Sequence, residues 1–519
     1  YEAAGAFARA GERFEALAAE GDAAAALAAV ANFEQGLRMV DALRVVRAAL
    51  GSAGLTAVQA SALRAANERL TAVVDRQARV ELMFDRPLDP AWRIDEPLAL
   101  RSDLVRDELV VDVTADRDAI ATLPIELTGE PLTVELELAA ERLEWGSRVG
   151  VAVRVPGGGE VVLVSVSAGG GGGYLQRNGL SGPQWRAFGL WETASPAERS
   201  VHRSRVTLLP GHGRVHIEET GDHPDEAGVQ WSGTLERGRA ELAIVSTGMP
   251  VFESQQARVR IRRIAVTGAR LAVGDGDEPA GSTVARELVA GRWHAALAAA
   301  DEATAQGRLW RGVALAELGR GAEAIAAFAS LDPDEPALRR QLKHLLRTRA
   351  TTFAPVLRAA LGARYPALLL EALQKKGEYP DDELWALRLA VTADLEAMTF
   401  AAATEATTKA QLRAIRGTAW STIGELAQAE ADLAAAAAAL EPWLAGRGET
   451  RDAGLATIEL RRAEVAADRG ITELAFAAAG RALARATDPE WMAERLRISR
   501  SLARLQADPR WQELLAGYP

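Results

Sequence analysis

The chain has 519 residues, of which 48% are hydrophobic and 25% are charged, a composition typical of a folded protein with several domains. Its formal net charge of −11 argues against nucleic acids and anionic membrane surfaces as partners, because both attract a basic face. Cysteine is absent, which excludes disulfides, a thiol nucleophile and thiolate metal ligands. The sequence contains no apolar run of about 18 residues, so no membrane-spanning helix is predicted.

Residue types also bear on the source and the compartment. Lysine occurs only at Lys343, Lys375, Lys376 and Lys409, and the remaining basic residues are arginine. Together with abundant alanine, this is typical of a GC-rich bacterial genome. Because residue 1 is tyrosine, we expect the chain to be a fragment or a processed form of a longer protein. A membrane anchor upstream would place it in the periplasm or outside the cell, and without one it would be cytoplasmic.

Residues 1–76 carry the apolar spacing of helices and predict a helical hairpin segment. Phe7, Phe14 and Leu17 recur at intervals of seven and three residues, which places them on one face of a helix. Gly21 and the segment 51–54 interrupt the pattern and predict turns between helices. One or two helical hairpins are therefore expected.

The apolar spacing changes to alternation at residue 77, and the segment 77–272 predicts an antiparallel β-sandwich of the jelly-roll kind. The glycine-rich stretch 168–182 is predicted to be a mobile loop. Strands are predicted at 80–84, 108–114, 119–127, 132–138, 148–155, 160–167, 201–209, 214–219, 241–246 and 257–267.

Helical spacing returns at residue 282 and continues to residue 519, with an internal repeat. Each copy contains a small residue, then a glycine, an alanine and a large residue. The small residue at the start of the copy allows two helices to approach closely. The glycine predicts a left-handed turn between the helices, and the large residue is expected to fill the gap between repeats. A small residue, a glycine, an alanine and a large residue stand at offsets 0, 7, 12 and 16: Gly312, Gly319, Ala324 and Phe328, then Gly417, Gly424, Ala429 and Leu433. A partial copy is formed by Ala463, Gly470 and Ala475.

This spacing resembles the tetratricopeptide repeat over residues 305–337, 410–442 and 456–489. The resemblance implies an α-helical solenoid with a concave groove for a protein or peptide. Between residues 338 and 409 the resemblance is weak, and irregular helical hairpins are expected there.

The β-segment resembles concanavalin A-like and laminin-G-like sandwiches in its first and last strands, at residues 84–92 and 259–268. The order of helices, sandwich and repeats is also similar to the C-terminal region of bacterial membrane-anchored Ser/Thr protein kinases, as is the ending at residues 507–515. No kinase catalytic motif occurs in the sequence. The resemblance therefore implies a sensor or scaffold role rather than phosphoryl transfer by this chain.

Candidates for catalysis or metal binding are few. Glu135 and Glu137 share a face of a predicted strand, but alternating apolar residues indicate a strand with one face in water rather than a glycosidase carboxylate pair. Histidines 202, 212, 216 and 223 lie close together in the sequence. Four residues of a strand span about 13 Å, so residues 212 and 216 cannot share one ion, although ligands from separate strands stay open. The glycines at 169–173 precede a turn rather than a helix, so no nucleotide site is predicted.

Binding residues are predicted at two places. Sugar rings stack on exposed aromatic faces near sandwich loops, which suggests a ligand site at Tyr174, Trp185, Trp191 and Trp231, with core packing as the alternative. The solenoid would present a partner groove at Gln306, Leu309, Val313, Gln411, Thr418 and Ser421, unless the chain's own segments fill it.

These features predict a non-catalytic binding or scaffold region that mediates protein–protein interaction or senses a ligand, as part of a larger receptor-like Ser/Thr kinase. The alternatives are a carbohydrate-binding, lectin-like protein and a self-associating structural protein. The expected partner is a protein, a peptide or a glycan. The sequence also allows the protein to form oligomers. No catalytic residue, metal or cofactor is predicted.

Overall fold

A computed structural model of the chain divides into two compact units, residues 1–299 and 300–519. No described helix is long and apolar enough to cross a bilayer. The structure describes residues 7–19, 22–36, 38–52, 55–74, 78–114, 117–128, 132–143, 148–155, 159–167, 172–175, 186–188, 201–209, 214–219, 225–230, 237–247, 256–272, 282–373 and 382–518.

The first unit begins with the helices that the sequence predicts. The Asp22 carboxylate caps the second helix by accepting from the amides of Ala24 and Ala25, at 2.8 and 3.0 Å. Phe33 is fully buried where the first two helices meet, and a Cβ at Gly11 would lie 2.7 Å from its ring. The four helices are α1 (Phe7–Ala19), α2 (Ala23–Gln35), α3 (Met39–Leu50) and α4 (Ala57–Val74).

Two antiparallel eight-stranded sheets follow, which we name the front sheet and the back sheet. The front sheet has the order β13-β12-β11-β6-β15-β4-β3, with β1 also paired to β15. Its strands are β1 (Arg79–Met83), β3 (Leu100–Asp103), β4 (Glu108–Thr114), β6 (Leu132–Leu143), β11 (Val201–Leu209), β12 (Arg214–Glu219), β13 (Asp225–Gln230) and β15 (Gln256–Thr267).

The back sheet has the order β10-β9-β8-β7-β14-β5-β16, with β2 also paired to β5. Its strands are β2 (Arg93–Ile94), β5 (Arg117–Leu127), β7 (Arg148–Val155), β8 (Gly159–Ser167), β9 (Gly172–Leu175), β10 (Arg186–Phe188), β14 (Gly238–Thr247) and β16 (Ala269–Leu271). Helices α5 (Ser282–Val289) and α6 (Trp293–Ala299) complete the first unit.

The antiparallel sandwich is confirmed, because each predicted strand coincides with an observed strand to within a few residues. Alternate side chains such as Val134 and Leu136 of β6 and Val151 of β7 are buried in the core between the sheets. The predicted loop at 168–182 is wrong in part, because residues 172–175 form β9. That strand pairs with β8 through Ser165 and Gly172, and backbone pairing of this kind needs no side chain.

The second unit is helical. Short 3-10 turns lie at Gly362–Arg364, Leu395–Ala397 and Ala503–Leu505. Its helices are α7 (Ala305–Glu317), α8 (Gly321–Ala329), α9 (Pro336–Thr348), α10 (Ala350–Leu361), α11 (Tyr365–Leu373), α12 (Asp382–Thr392), α13 (Glu405–Thr422), α14 (Leu426–Gly446), α15 (Ala453–Asp468), α16 (Thr472–Arg485), α17 (Pro489–Ile498) and α18 (Pro509–Leu515).

The repeated small and large residues meet where consecutive helices pack. A Cβ at Gly312 of α7 would lie 2.9 Å from the Phe328 ring of α8, and one at Gly417 of α13 would lie 2.8 Å from Leu433 Cγ of α14. The large residue of each copy, Phe328 or Leu433, therefore packs against the small residue of the same helix pair. Phe328 also reaches the following helices, since its ring stands edge-on to Phe353 with centroids 6.3 Å apart.

The glycines between paired helices have the predicted left-handed backbone. The φ angles of Gly319, Gly424 and Gly470 are 73°, 85° and 79°. A β-carbon is disfavoured in this region, so these positions end α7, α13 and α15 sharply.

Candidate functional site

The outward side of the front sheet carries the densest array of charged side chains in the described part of the sandwich. On β6, Val134, Leu136 and Leu138 point into the core, so Glu135 and Glu137 point outward. β15 supplies arginines opposite them. Its register with β6 shifts between Ile261 and Arg263, and such a bulge re-aims side chains locally.

Glu135 is the centre of this array. Its carboxylate lies 2.7 Å from Arg205 Nη2, 2.9 Å from Arg263 Nη2 and 3.2 Å from Arg79 Nη2. Burial raises the pKa of the Glu135 carboxyl, but the positive charges of Arg205, Arg79 and Arg263 outweigh burial. They hold that pKa below its ordinary value. Glu135 is therefore ionised at neutral pH.

A second group of ion pairs surrounds Arg260 of β15. Its guanidinium contacts Asp103 at 3.0 Å, Glu108 at 3.3 Å, and Glu141. Glu108 is itself only 3% exposed, and its other oxygen accepts from Arg262 Nε at 2.9 Å. Arg260 thereby links strands β3, β4 and β6 through side chains as well as through the sheet backbone.

The helical segment touches the same face. Arg38 and Glu135 both line a cavity of about 200 Å³, together with Arg203, Arg205 and Arg263. Asp41 of α3 lies 3.9 Å from Arg205. Burial raises the pKa of Asp41, but the hydrogen bond and charge of Arg38 and the charge of Arg205 give a net lowering. The start of α3 thus takes part in the charged face.

The ion pairs of this face determine the protonation state of its central carboxylate. A glycosidase general acid must stay protonated near neutral pH, which needs an environment that raises its pKa. Glu135 has the opposite environment, and Glu137 lies between Arg203 at 3.2 Å and Arg262 at 4.0 Å. Carboxylates and guanidinium groups held in such pairs present a fixed pattern of charge at the surface.

No protein-family model matches the sequence, and a comparison with curated proteins found no match. Among solved structures, a xylan β-1,4-xylosidase from Bacillus halodurans C-125 aligns at 10% identity over 36% of this chain and 38% of that chain, with a TM-score of 0.26. A Bacillus licheniformis β-glucanase aligns at 8% identity over 36% of this chain and 97% of its own, with a TM-score of 0.28. Peanut lectin aligns at 13% identity over 38% of this chain and 100% of its own, with a TM-score of 0.23.

Similarity at this level supports no inference about activity or ligand. The chain spans little more than a third of the xylosidase chain, at 38%. The antiparallel sandwich is established by the strand registers of the protein itself. The finer resemblance to particular sandwich families stays a prediction.

The predicted aromatic ligand site falls largely outside the described residues. Trp185, Trp191 and Trp231 lie outside them, and Tyr174 is described only as a backbone position of β9 paired with Ala187. The site therefore stays a prediction.

The predicted histidine cluster is described at one side chain. His202 on β11 is buried at 3% exposure, pointing away from the charged face. His212 and His223 lie outside the described residues, and His216 is described only as a backbone position of β12. Within the described ranges, no group of three or more His, Asp or Glu residues could hold a metal ion.

The predicted partner groove needs correction at its first copy. Leu309 and Val313 are fully buried, so the structure places them in the helical core rather than on an open surface. Gln306 is half-buried, and its side-chain amide exchanges two hydrogen bonds with Gln341 of α9, at 2.9 and 3.2 Å. The chain's own helix α9 therefore contacts this position, which was the alternative to a partner.

The residues of the second predicted copy lie at the surface. Gln411 is exposed, and Thr418 and Ser421 are half-exposed on the same helix, α13. Residues at intervals of seven and three lie on one face of a helix, so the three side chains form a polar stripe. Thr418 Oγ1 donates to the carbonyl of Ala414 at 2.9 Å, which holds its hydroxyl against the helix.

The charged face is the feature that the sequence interpretation missed. Its arginines were attributed to genome composition alone. A signal was present, because Arg258, Arg260 and Arg262 alternate along β15. Acidic residues in the same alternation on β6 indicate one shared outward face.

Proposed function

We propose that this chain is a non-catalytic binding and scaffold region, in which the sandwich and the helical unit each present a recognition surface. One observation carries the proposal. Glu135, the carboxylate at the centre of the charged face, is ion-paired to three arginines and has a lowered pKa. A group of this kind holds a charge in place but does not deliver a proton at neutral pH.

A protein partner is favoured over a glycan at the charged face. No aromatic residue lies among the outward-facing side chains of the front sheet that the structure describes. Sugar rings commonly stack on such side chains. Paired arginines and carboxylates suit a protein surface of complementary charge pattern, where they fix register and orientation. In the helical unit, the stripe of Gln411, Thr418 and Ser421 is the corresponding surface for a peptide.

The finer context is also a proposal. The order of helices, sandwich and tetratricopeptide-like repeats supports a place in a receptor-like Ser/Thr kinase, as its sensor or scaffold part. A carbohydrate-binding role at Tyr174, Trp185, Trp191 and Trp231 is the competing candidate for the sandwich, and it rests on the composition of that segment.

The test compares hydrolysis with binding in the full chain. Release of reducing ends from β-glucan and xylan is measured for the wild type, for Glu135→Gln, and for the control Glu241→Gln on the exposed side of β14. We expect no hydrolysis by any of the three. Turnover by the wild type that Glu135→Gln abolishes and Glu241→Gln preserves would overturn the non-catalytic assignment.

Binding is measured on the same samples by electrophoresis through gels that contain each polysaccharide. Unretarded migration is expected if the partner is a protein. Retardation that Trp185→Ala or Trp191→Ala removes would establish the carbohydrate-binding alternative instead. A mass that rises with concentration in light scattering would establish self-association.

A further inference from the structure

A cavity of about 360 Å³ lies at one edge of the sandwich, separate from the cavity beside α3. It opens between β1 of the front sheet, β16 of the back sheet and the segment 84–92 that follows β1. Its volume falls within the range of about 300 to 1,000 Å³ that is usual for small-molecule sites. It adjoins the charged face, since Arg79 and Glu81 line it and are paired with Glu135 and Arg263 of that face.

The floor of this cavity is apolar, and its rim combines apolar with charged side chains. Phe84 and Trp92 are each 2% exposed and Leu123 is fully buried, so they form a rigid base. At the rim, Met83 and Leu271 are 49% and 44% exposed. Exposed apolar side chains at the mouth of a cavity gain free energy when a guest covers them. The guest therefore needs an apolar body.

Three arginines and two carboxylates line the cavity, so its charge is unbalanced by one arginine. Arg79 is paired with Glu135 at 3.2 Å, and Arg270 with Glu126 at 2.9 Å. Glu81 is hydrogen-bonded to Arg263 at 2.6 Å, and the Asp89 carboxylate accepts from a backbone amide. Arg86 lines the cavity and has no ion-pair partner within the described ranges. Its guanidinium is available to a guest with one negative charge.

The segment that carries Arg86 is held in place. The Asp89 carboxylate accepts from the amide of Ala91 at 2.8 Å, and the Asp89 carbonyl accepts from the amide of Trp92 at 3.0 Å. Arg286 of α5 donates to the carbonyl of Pro90 at 3.2 Å. A cavity whose wall is fixed in advance loses little conformational entropy when a ligand enters.

From these observations we infer that the cavity binds a small amphipathic monoanion, such as a medium-chain carboxylate, with its carboxylate at Arg86 and its tail between Met83 and Leu271. This goes beyond the proposed function, since it concerns a different site and a small molecule. The charged face does not have to be functional for this binding to occur.

The test is a fluorescence titration of the full chain with two probes. 8-Anilinonaphthalene-1-sulfonate carries one negative charge, and Nile red is uncharged. Arg86→Gln is expected to weaken the sulfonate by about fivefold to tenfold and to leave Nile red within about twofold. Met83→Asp is expected to weaken both probes, and sodium octanoate is expected to displace the sulfonate.

Two matched controls locate the site. Arg93→Gln removes another exposed arginine outside the cavity, and Val105→Asp places the same charge on a side chain that is 94% exposed at the turn between β3 and β4. Both are expected to bind like the wild type. The inference is overturned if Arg86→Gln leaves the sulfonate unchanged. It is also overturned if Val105→Asp weakens the probes as much as Met83→Asp, or if octanoate displaces nothing.

Discussion

Replacing Gly312 by alanine tests the close approach of helices α7 and α8. The new Cβ would lie 2.9 Å from Cε1 and Cζ of Phe328 and 3.1 Å from Cε2, whereas carbon atoms in contact prefer about 3.5 to 4.0 Å. The ring has little room to retreat, because Phe328 is fully buried and stands edge-on to Phe353. The helix must therefore absorb the clash.

Two opposing contributions determine how much Gly312→Ala changes the free energy of unfolding. Overpacking of a well-packed core costs about 1 to 3 kcal/mol. Exchange of glycine for alanine inside a helix gains about 1 kcal/mol. The net expectation for Gly312→Ala is a loss of about 1 kcal/mol in the free energy of unfolding, with the sign set by packing.

The matched control is Gly321→Ala in α8, where a Cβ would meet no atom within 4 Å. At that position only the higher helix propensity of alanine acts, and the free energy of unfolding is expected to rise by about 0.5 kcal/mol. The assay is hydrogen exchange of peptides from α7 and α8 in the full chain, because it reports local opening even when the two units unfold separately.

We expect exchange in these peptides to be faster in Gly312→Ala and slower in Gly321→Ala. Adding Phe328→Leu to Gly312→Ala should cost less than the sum of the two single changes, because the smaller side chain makes room for the methyl group. If Gly312→Ala slows exchange as Gly321→Ala does, the two helices do not meet through this glycine and the interpretation of the repeat is wrong.

Three further predictions concern charge and backbone. The lowered pKa of Glu135 means that its ion pairs stabilise the protein above the unfolded value near 4.5 and are lost as pH falls through the folded value. The difference in free energy of unfolding between wild type and Glu135→Gln, measured in urea, should therefore shrink as pH falls below about 4.5. A difference that grows at low pH would contradict the ion pairing of Glu135. Glu459 is 2% exposed and lies 3.1 Å from Arg462 and 3.0 Å from Arg481. Glu459→Gln should therefore lower the free energy of unfolding, measured in urea, by about 3 kcal/mol. The control Glu323→Gln, at an exposed ion pair, should leave this free energy unchanged, and an equal loss in both variants would show that burial is not the cause. Gly424 has a φ of 85°, so Gly424→Ala should lower the free energy of unfolding by about 1 to 2 kcal/mol in the same assay. The control Gly446→Ala should not lower it, because a Cβ at Gly446 would meet no atom within 4 Å.

Local structure could be predicted well where the sequence pattern has one physical cause. Alternation of β-branched and polar residues predicted strands such as β4 and β7 to the residue, because the outer and inner faces of a sheet differ in solvent exposure. Gly319 and its counterparts were predicted to adopt positive φ, since few other residues do so without strain.

Long-range contacts could not be predicted in the same way. Glu135 meets Arg79, Arg205 and Arg263 only through the registers of β6 with β11 and β15, and of β1 with β15, and periodicity does not specify a register. The first copy of the predicted groove was wrong for a similar reason. Spacing placed Leu309 and Val313 on one face of α7, but it did not specify whether that face is covered.

The pairing around Arg260 also restricts how the sequence can vary. Loss of that one side chain would leave Asp103 and Glu141 without this counter-charge, and Glu108, which is almost fully enclosed, with Arg262 alone. A single substitution there is costly, whereas simultaneous loss of the acidic residues removes the penalty. Homologous sequences should therefore show correlated exchange at these four positions, with the charges retained together or replaced together.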